Sequence, residues 1–483
     1  MRGAESRLRQ NGIALSWSGQ PPEGFASLRV DSRTVRPGDL FCAISGTALD
    51  GHDYVAAAAA AGAVAAIVER SIPATIPTLV VSDSRAAAAH IASLAAGDPV
   101  VGLRVVGVTG TNGKTTTTLL ARHLLTSLGP TAALGTLGLY LPDGTHRARS
   151  RITTPGPVEL VADIGEVVAS GAAYFAMEVS SHALDQRRVE SVPFAVAVFT
   201  NLTREHLDYH ADMESYRRAK LRFVDLLAPD GVAVVNAEDR AWDSLRAAAP
   251  RVLTFGRNDG PDVRAEDISY SSYGSRWTLV TPAGRAAVEF PLLGDFNISN
   301  ALGAAAAAHV LGIDAATTAV RLATAPQVPG RMEVLAREPG PIVLRDYAHT
   351  PDGLKRALDS LRSLADGRLT VVFGCGGDRD RGKRPLMGQA AVGSADRVIL
   401  TTDNPRMEDP DRIVRDIAGD LPAGSFEVIE DRSEAIESAV CNAGNSDVVL
   451  LAGKGHETYQ DILGEKQPFD EAAIVRGLIG HGS

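Results

Sequence analysis

The residues between 107 and 116 combine glycine, lysine and threonine in the order that a phosphate-binding loop requires. An apolar, β-branched run at residues 104–109 predicts a buried strand before the loop. The loop and the start of the next helix contain Gly110, Thr111, Asn112, Gly113, Lys114, Thr115 and Thr116. Glycines let backbone N–H groups face a phosphate, Lys114 adds a full positive charge, and the Thr115 hydroxyl can ligate Mg²⁺. The stretch therefore predicts a strand, loop and helix that bind nucleotide phosphates.

The loop departs by one position from the strict pattern G-x-x-x-x-G-K-[ST]. That pattern requires glycine at position 108, where this chain has Val108, and the glycines fall at 107, 110 and 113 instead. We interpret the stretch as a variant phosphate-binding loop.

Polar side chains follow two further predicted strands in the middle of the chain. Glu178 stands at the end of the apolar run 174–179, and His206 comes shortly after the run 194–199. Ligands of open α/β sheets lie outside the carboxyl ends of the strands. We therefore expect Glu178 and His206 to converge on the phosphate-binding loop, where they would serve metal and nucleotide binding.

Four predicted strands in the C-terminal part also end in polar, glycine-rich loops. These strands cover residues 341–345, 369–373, 397–402 and 447–451. The loops that follow them begin at Asp346, Gly374, Asp403 and Gly453. A domain with a purely structural role would not need charge at each strand end, so a second binding region is predicted here.

The elements that carry these residues predict an α/β protein of three domains. A length of 483 residues suits about three domains of ordinary size. We predict a smaller N-terminal α/β domain at 1–103 and a central domain with a mostly parallel P-loop-type sheet at 104–328. A C-terminal Rossmann-like domain follows at 329–483, after a proline- and glycine-containing hinge at 325–331.

Composition excludes several classes of protein. A net charge of -10 argues against nucleic acid as the main partner. Three scattered cysteines are too few for a disulfide framework or a zinc site. We see neither a signal peptide nor a strongly apolar stretch of about 18 residues. The expectation is a cytoplasmic protein without membrane insertion.

With these motifs together, the chain resembles the Mur ligase family over essentially its whole length. The matching stretches are 107–115, 178–182, 200–204, 294–297, 330–333 and 346–352. One departure is Glu205, which stands where the family usually has aspartate before the histidine. The glutamate keeps the charge and adds one methylene, so it affects only fine geometry.

The resemblance implies an ATP-dependent ligase of peptidoglycan synthesis that acts as a monomer. It would add meso-diaminopimelate to the D-glutamate of UDP-MurNAc-L-Ala-D-Glu through an acyl phosphate, releasing ADP and phosphate. The implied catalytic residues are Lys114, Glu178, His206 and Lys220. Of two implied Mg²⁺ ions, Thr115 and Glu178 would hold one. His206 and Lys220, carbamylated by CO₂ to N6-carboxylysine, would hold the other.

The resemblance also implies three sets of binding residues. For ATP they are Gly110, Thr111, Asn112, Gly113, Lys114, Thr115, Thr116, Asn297, Asn300, Arg331 and Asp346. For UDP-MurNAc-dipeptide they are Ser32, Thr47, Ala48, Leu49, Thr153, Thr154, Ser180, Gln186 and Arg188. For diaminopimelate they are Arg379, Asp403, Asn404, Pro405, Arg406, Gly453 and Glu457. Arg406 would bind the distal carboxylate of diaminopimelate, and Glu457 its distal ammonium.

Other interpretations stay open. The same scaffold could add L-lysine or another amino acid, belong to a folylpolyglutamate-type ligase, or be a non-catalytic P-loop protein. The separate N-terminal domain counts against the folate ligases. The presence of Lys114, Glu178, His206 and Lys220 counts against a non-catalytic protein. Taken singly, residues 403–406 would be a turn, Lys220 a solvated helix residue, and Asn297 or Ser299 a helix N-cap.

Overall fold

The computed structural model describes residues 1–46, 49–148, 152–337 and 340–480. Two compact units divide the chain. The first unit contains Met1–Gly110, Ala121–Leu202 and His210–Leu253, and the second contains Thr111–Leu120, Thr203–Tyr209 and Thr254–Ser483.

The N-terminal part of the first unit is a small α/β sheet. Its elements are α1 (Arg2–Gln10), β1 (Leu15–Ser18), β2 (Leu28–Arg29), β3 (Leu40–Cys42), α2 (Val55–Ala60), β4 (Ala65–Val68), β5 (Thr78–Val81) and α3 (Ser84–Ala95). The strand order is β1-β5-β4-β3-β2, with only β1 antiparallel to its neighbour. Buried aliphatic residues on β3 and β4 form the core, and the Asp83 side chain caps α3.

The middle of the chain supplies the strands around the phosphate-binding loop. Its elements are β6 (Arg104–Thr109), α4 (Lys114–Leu125), β7 (Thr131–Gly135), β8 (Gly138–Tyr140), β9 (His146–Arg147), α5 (Pro157–Ala169), β10 (Tyr174–Glu178), α6 (Ser181–Asp185), β11 (Phe194–Phe199), α7 (Met213–Leu221), β12 (Leu227–Asn236), α8 (Leu245–Ala248) and β13 (Val252–Gly256). Strand β6 lies between β10 and β11, and both pairings are parallel. Glu178 and the residues after Phe199 therefore leave the sheet beside the end of β6.

An aromatic pair packs against β6 and explains one glycine of the loop motif. The rings of Phe194 and Phe223 meet edge to face with centroids 4.7 Å apart. A Cβ atom added at Gly107 would overlap both rings. Gly107 is thus required for packing within the strand, whereas the loop itself begins at Gly110.

Antiparallel strands and two helices open the long final segment of the second unit. They are β14 (Val263–Ser271), β15 (Gly274–Thr281), β16 (Gly284–Phe290), α9 (Asp295–Val310) and α10 (Ala315–Ala323). Helix α9 begins at Asp295, and its N-cap is Gly294. The interpretation of Asn297 or Ser299 as an N-cap is therefore wrong, because both residues lie inside the helix.

The C-terminal part is a six-stranded sheet with helices, and four of its strands correspond to the four that the sequence predicted. Its elements are β17 (Glu333–Ala336), β18 (Ile342–Asp346), α11 (Pro351–Arg362), β19 (Leu369–Phe373), α12 (Lys383–Ser394), β20 (Arg397–Leu400), α13 (Pro410–Ala418), β21 (Glu427–Val428), α14 (Arg432–Cys441), β22 (Val448–Ala452), β23 (Tyr459–Ile462), β24 (Glu465–Pro468) and α15 (Glu471–Gly480). The order is β17-β18-β22-β19-β20-β21, parallel except for β17, and β23 pairs with β24 outside it. The α/β fold class is confirmed.

Two further properties of the described residues are the length and polarity of the helices and the state of the cysteines. No helix among them is both long enough and apolar enough to cross a membrane. The three cysteines are free thiols: Cys42 and Cys375 are buried, and Cys441 is exposed. Burial raises the pKa of the Cys375 thiol to about 12, so it stays protonated.

Candidate active site

The predicted phosphate-binding loop connects β6 to α4, and Lys114 is the first residue of that helix. The Lys114 Nζ donates to the Thr111 carbonyl oxygen at 2.7 Å. Thr203 holds the loop from the other side: its N–H donates to the Thr111 hydroxyl at 2.9 Å, and that hydroxyl donates to the Thr203 carbonyl at 3.1 Å. The ammonium of Lys114 is therefore placed at the N-terminus of a helix, where anions bind favourably.

Asn300 fixes the end of the loop. Gly113 has φ +83°, and a Cβ atom added there would overlap the Asn300 Oδ1. The Asn300 Nδ2 donates to Asn297 Oδ1 at 2.9 Å, and the Asn297 Nδ2 donates to the Leu293 carbonyl at 2.6 Å. Both predicted ATP-binding asparagines are buried in α9: Asn300 lies against the loop, and Asn297 holds Asn300.

Arg331 brings a second cation to the beginning of α4. Its Nη2 lies 3.4 Å from the Thr115 Oγ1, and its guanidinium lies over the Tyr347 ring at 4.4 Å from the centroid. The neighbouring Asp346 accepts a hydrogen bond from the Met332 N–H at 2.7 Å. Removal from water raises the pKa of Asp346, and the positive charge of Arg331 opposes that rise. Lys114 and Arg331 together give this end of the helix the charge that a polyphosphate needs.

Glu178 is a buried carboxylate held by one threonine. Only 1% of the residue is exposed. Its Oε1 accepts from the Thr136 N–H at 2.8 Å, and its Oε2 accepts from the Thr136 hydroxyl at 3.1 Å. The hydroxyls of Thr136 and Thr153 are 3.0 Å apart, which connects a predicted substrate-binding residue to the carboxylate.

Four more of the predicted substrate-binding residues belong to the same network. The Thr154 hydroxyl donates to the Glu178 carbonyl at 2.9 Å and accepts from the Ser180 N–H at 3.1 Å. The Arg188 Nη1 donates to the Thr154 carbonyl at 2.8 Å, and its Nη2 donates to the Gln186 Oε1 at 2.6 Å. Residues far apart in sequence are thus brought to one edge of the sheet beside Glu178.

The predicted residues of the N-terminal sheet are less closely tied to this network. Ser32 begins a short 3₁₀ helix that Asp31 caps by accepting from the Arg33 N–H at 3.0 Å. Leu49 is 67% exposed. Thr47 and Ala48 lie outside the described residues. The role of this group stays a prediction.

Lys220 is buried rather than solvated. Only 1% of it is exposed, and its Nζ donates to the Gly110 carbonyl at 2.8 Å. The ammonium lies 4.7 Å from the centroid of the Tyr216 ring, which also contacts the His210 ring. The residue-by-residue interpretation of Lys220 as a solvated helix residue is therefore wrong, and the lysine instead contacts the backbone of the phosphate-binding loop.

Glu205 lies between two histidines in the second unit. Its Oε2 is 3.6 Å from the His206 Nε2, and its Oε1 is 3.7 Å from the His349 Nε2. His206 has φ +56°, a conformation that is uncommon for a side chain with a Cβ. The Lys383 Nζ donates to the His349 carbonyl at 2.7 Å. One carboxylate, that of Glu205, thus approaches both rings.

Carboxylates and an amide gather at the ends of β20 and β22. The Asn404 Nδ2 donates to the Glu457 Oε2 at 2.7 Å. Asp403 is buried, and its Oδ2 has no hydrogen-bond partner within the part of the chain that the structure describes. A Cβ added at Gly453 would lie 2.8 Å from that oxygen. An unpaired buried carboxylate oxygen is costly unless a ligand donates to it, so this arrangement suits an ammonium.

Arg406 is held against the loop that follows β19. The residue has φ +53°, its N–H donates to the Asp461 carbonyl at 2.8 Å, and its guanidinium donates to the Gly377 carbonyl. Arg379 is exposed on the same loop, and Pro405 is buried beside Arg406. Two guanidinium groups therefore lie on the segments around the carboxylates of Asp403 and Glu457.

Three residues with clear roles in this geometry were not predicted from the sequence. Thr136, which holds Glu178, follows a short buried strand without any motif of its own. Tyr347 lies under Arg331. It belongs to the stretch 346–352 that carries the family resemblance, so its position beside Asp346 could have indicated a role in the site. Lys454 stands between the predicted residues Gly453 and Glu457, and no spacing or residue pattern of its own distinguishes it.

The class of protein follows from the fold, the phosphate-binding loop and the sequence. The chain matches the "Mur ligase family, catalytic domain" over residues 25–105, the "Mur ligase middle domain" over 108–308, and the "Mur ligase, glutamate ligase domain" over 330–455. The chain belongs to the Mur ligase family, which confirms the resemblance.

Individual relatives narrow the comparison. The UDP-N-acetylmuramoyl-L-alanyl-D-glutamate--2,6-diaminopimelate ligase of Gloeobacter violaceus is 44% identical over 461 residues, which cover 94% of each chain. A solved structure of a ligase with the same name is 36% identical, with a TM-score of 0.71 over 96% of each chain. MurF ligase from Thermotoga maritima, solved in complex with ADP, is 20% identical, with a TM-score of 0.59 over 89% of this chain and 94% of that chain. The last likeness shows the fold alone.

Proposed function

We propose that this chain is an ATP-dependent ligase that joins meso-diaminopimelate to the D-glutamate of UDP-MurNAc-L-Ala-D-Glu in peptidoglycan synthesis. Relatives at 44% identity over 94% of the chain carry the name of that ligase. The observation that carries the choice of amine is the unpaired buried oxygen of Asp403 beside Asn404 and Glu457. A distal ammonium would satisfy it, and a distal carboxylate would pair with Arg406.

The first step activates a carboxylate, which is a poor electrophile. The γ-carboxylate of D-glutamate attacks the γ-phosphorus of ATP, a new O–P bond forms, and the bond to the β-phosphate oxygen breaks to release ADP. Two anions must meet in this step, so positive charge must be concentrated at the phosphates. Lys114 and Arg331, both at the beginning of α4, are the cations proposed for it.

The second step forms the amide. The amine of diaminopimelate attacks the acyl carbon, a tetrahedral intermediate forms and collapses, phosphate leaves and the amine loses a proton. Residues of the C-terminal part would hold the other end of the amino acid. Arg406 and Arg379 would bind carboxylate, and Asp403 and Glu457 would bind ammonium. Holding both charges orients the reacting amine.

Magnesium would neutralise phosphate charge in this site. Among the described residues, no three His, Cys, Asp or Glu side chains lie together so that they could hold a metal ion by themselves. Mg²⁺ commonly keeps several waters and binds through one or two protein oxygens plus substrate phosphates. We propose Thr115 and Glu178 as oxygen donors for one ion. His206 and carbamylated Lys220 would serve a second.

The remaining proposals concern partners and location. We propose a cytoplasmic monomer whose partners are ATP, the nucleotide-sugar dipeptide and diaminopimelate, without nucleic acid and without membrane insertion. The net charge of -10 supports the exclusion of nucleic acid.

Mass spectrometry of the product tests this function. The enzyme is incubated with UDP-MurNAc-L-Ala-D-Glu, ATP, Mg²⁺ and an equimolar mixture of meso-diaminopimelate, L-lysine and other amino acids. We expect a tripeptide product that contains diaminopimelate, and none with Lys114→Ala. A product containing mainly lysine would contradict the choice of amine, and ATP-independent or absent ligation would contradict the ligase assignment.

A further inference from the structure

Lys454, between β22 and β23, is completely buried beside the proposed diaminopimelate site. Its exposed fraction is 0%. The Nζ lies 5.8 Å from the centroid of the Tyr459 ring and 6.0 Å from that of the Phe469 ring. Burying an ammonium costs free energy unless it is paired and hydrogen-bonded, so the contacts of this group with its polar neighbours are informative.

The ammonium determines which way the Asn404 amide points. The Lys454 Nζ donates to the Asn404 Oδ1 at 3.0 Å, and the Asp461 N–H donates to the same oxygen at 2.9 Å. An ammonium can only donate hydrogen bonds. The oxygen of the amide must therefore face Lys454, which turns the Nδ2 to the Glu457 Oε2 at 2.7 Å.

Lys454 also balances the negative charge of the site. Its Nζ lies 3.8 Å from the Glu457 Oε2. Burial lowers the pKa of Lys454, while the negative charges of Asp403, Glu457 and Glu471 oppose that change. Because Asn404 and Lys454 both approach Oε2, the Oε1 of Glu457 is the oxygen that a bound ammonium would meet.

The use of lysine in this chain makes the position unusual. The only lysines are Lys114, Lys220, Lys355, Lys383, Lys454 and Lys466, so 42 of the 48 basic residues are arginines. A guanidinium is larger and planar, and it presents a fork of donors where the amide oxygen of Asn404 offers one acceptor. A compact ammonium suits the enclosed space between Asn404, Glu457 and the two rings.

We propose that Lys454 is a positioning residue that sets specificity for diaminopimelate, by fixing Asn404 and Glu457 in the arrangement that receives the distal ammonium. The inference rests on the proposed function. Lys454 itself would not touch the amino acid, and its effect would pass through the Asn404 amide and the Glu457 carboxylate.

Substitution at Lys454, with kinetics for two amines, tests the inference. Lys454→Met removes the charge and the donor while keeping a similar length, and Lys454→Gln keeps a donor for the Asn404 oxygen. For Lys454→Met we expect KM for meso-diaminopimelate to rise about tenfold or more, with KM for ATP within about twofold. The ratio by which the enzyme prefers diaminopimelate to L-lysine should fall in Lys454→Met. Lys454→Gln should retain part of that preference.

Lys466→Met is the matched control. Lys466 is an exposed lysine on β24 whose Nζ lies 4.0 Å from the centroid of the same Tyr459 ring. The Lys466→Met variant should leave KM for meso-diaminopimelate and KM for L-lysine unchanged. Melting temperatures of all variants are measured in parallel. If Lys454→Met yields too little folded protein, Lys454→Gln carries the comparison, with a smaller expected shift in the same direction.

The outcomes separate the inference from the function on which it rests. An equal loss of kcat for both amines, with an unchanged preference, would mean that Lys454 only supports folding, and the inference would be overturned. An unchanged KM in a folded variant would overturn it as well. A wild-type enzyme that never joins diaminopimelate would overturn the proposed function and the inference together.

Discussion

Arg406 shows how one residue can be fixed before any ligand binds. Its backbone is held on both sides, because its N–H donates to Asp461 and its carbonyl accepts from the Leu463 N–H, each at 2.8 Å. The guanidinium is held by the Gly377 carbonyl. A side chain ordered in advance loses little entropy on binding. Its remaining donors can pair with a carboxylate without rearrangement of the loop.

The first prediction is that Arg406→Ala weakens binding of meso-diaminopimelate. Loss of a desolvated, bidentate contact with a carboxylate costs about 2–4 kcal/mol, which is roughly a 30- to 800-fold rise in apparent KM. KM for ATP should hardly change. L-lysine, which lacks a distal carboxylate, should be affected much less. Steady-state kinetics with both amines at saturating ATP measure this.

The exposed Arg415 on α13 supplies the control for that measurement. Arg415→Ala removes the same type of side chain at a place away from the proposed site. It should change neither KM for meso-diaminopimelate nor KM for L-lysine. A diaminopimelate-to-lysine ratio that stays unchanged in Arg406→Ala would mean that residues 403–406 form only a turn.

The second prediction concerns Lys220. Lys220→Ala should be inactive, because the proposed carbamate oxygens for Mg²⁺ are gone, and added short carboxylates such as acetate or formate should restore part of the activity. Ligation is measured over a range of carboxylate concentrations. Rescue should be absent in Lys114→Ala, where a phosphate contact and not a metal ligand is missing. Failure of rescue in a Lys220→Ala enzyme that still binds ATP and Mg²⁺ would contradict the carbamate.

At the scale of elements, three buried strands could be predicted to the residue, whereas the predicted strand 397–402 already ends at Leu400. The predicted strands 104–109, 194–199 and 369–373 coincide with β6, β11 and β19. Each is buried over all or nearly all of its length and rich in β-branched or aromatic residues, so the pattern leaves few alternatives. The positions of the phosphate-binding loop and the C-terminal site follow from these strands, because ligands lie at their carboxyl ends.

Elements with one solvated face, and contacts between distant residues, could not be predicted in the same way. Strand β16 buries few of its residues, and charged pairs such as Arg276 and Glu289 line the exposed side of the hairpin. Lys220 appeared solvated because its partner, the Gly110 carbonyl, is 110 residues away. Helix α9 begins at Asp295 rather than at Asn297, which instead bonds to Leu293.

The third prediction concerns the loop between β6 and α4. Gly113→Ala places a Cβ at φ +83° and against Asn300 Oδ1, so the loop must distort. Positive φ at a non-glycine residue costs on the order of 1 kcal/mol, and the overlap adds to it. We expect ATP-dependent ligation to fall by a factor of about 100 or more, because the loop amides and Lys114 lose their alignment.

Gly165→Ala is the matched control for that substitution. Gly165 lies inside α5 with no atom within 4 Å of an added Cβ. Alanine there should be neutral or stabilise by about 0.5–1 kcal/mol. Ligation and melting temperature are measured for both variants. Normal ATP use by Gly113→Ala would show that the loop does not need this glycine.

For the whole molecule, buried histidines predict how stability depends on pH. His90 in the first unit and His456 in the second each have their pKa lowered to about 4, chiefly by burial. Both are neutral in the folded protein, whereas the unfolded chain binds protons near pH 6.5. Above pH 6.5 the two histidines bind no protons in either the folded or the unfolded protein. As the pH falls from 6.5 to 4 only the unfolded state gains protons, so stability is lost in that window.

The fourth prediction is that His90→Leu flattens this dependence. Melting temperature is measured from pH 7.5 to 4.5 for the wild type and for the variant. The decline between pH 6.5 and 4.5 should be shallower in the variant, by an amount equivalent to roughly 1–3 kcal/mol. His309→Leu, at the end of α9, is the comparison. Parallel curves for His90→Leu and the wild type would contradict the conclusion that the lowered pKa of His90 makes stability depend on pH.

The rarity of lysine gives the molecule a simple chemical signature. Two of its six side-chain amines, Lys220 and Lys454, are buried, and Lys355 and Lys466 are exposed. Reagents that acylate amines should therefore label few positions: the exposed Lys355 and Lys466 and, to a lesser extent, the half-buried Lys114. Because that amine lies at the proposed nucleotide site, one tryptic peptide would report nucleotide occupancy by its protection.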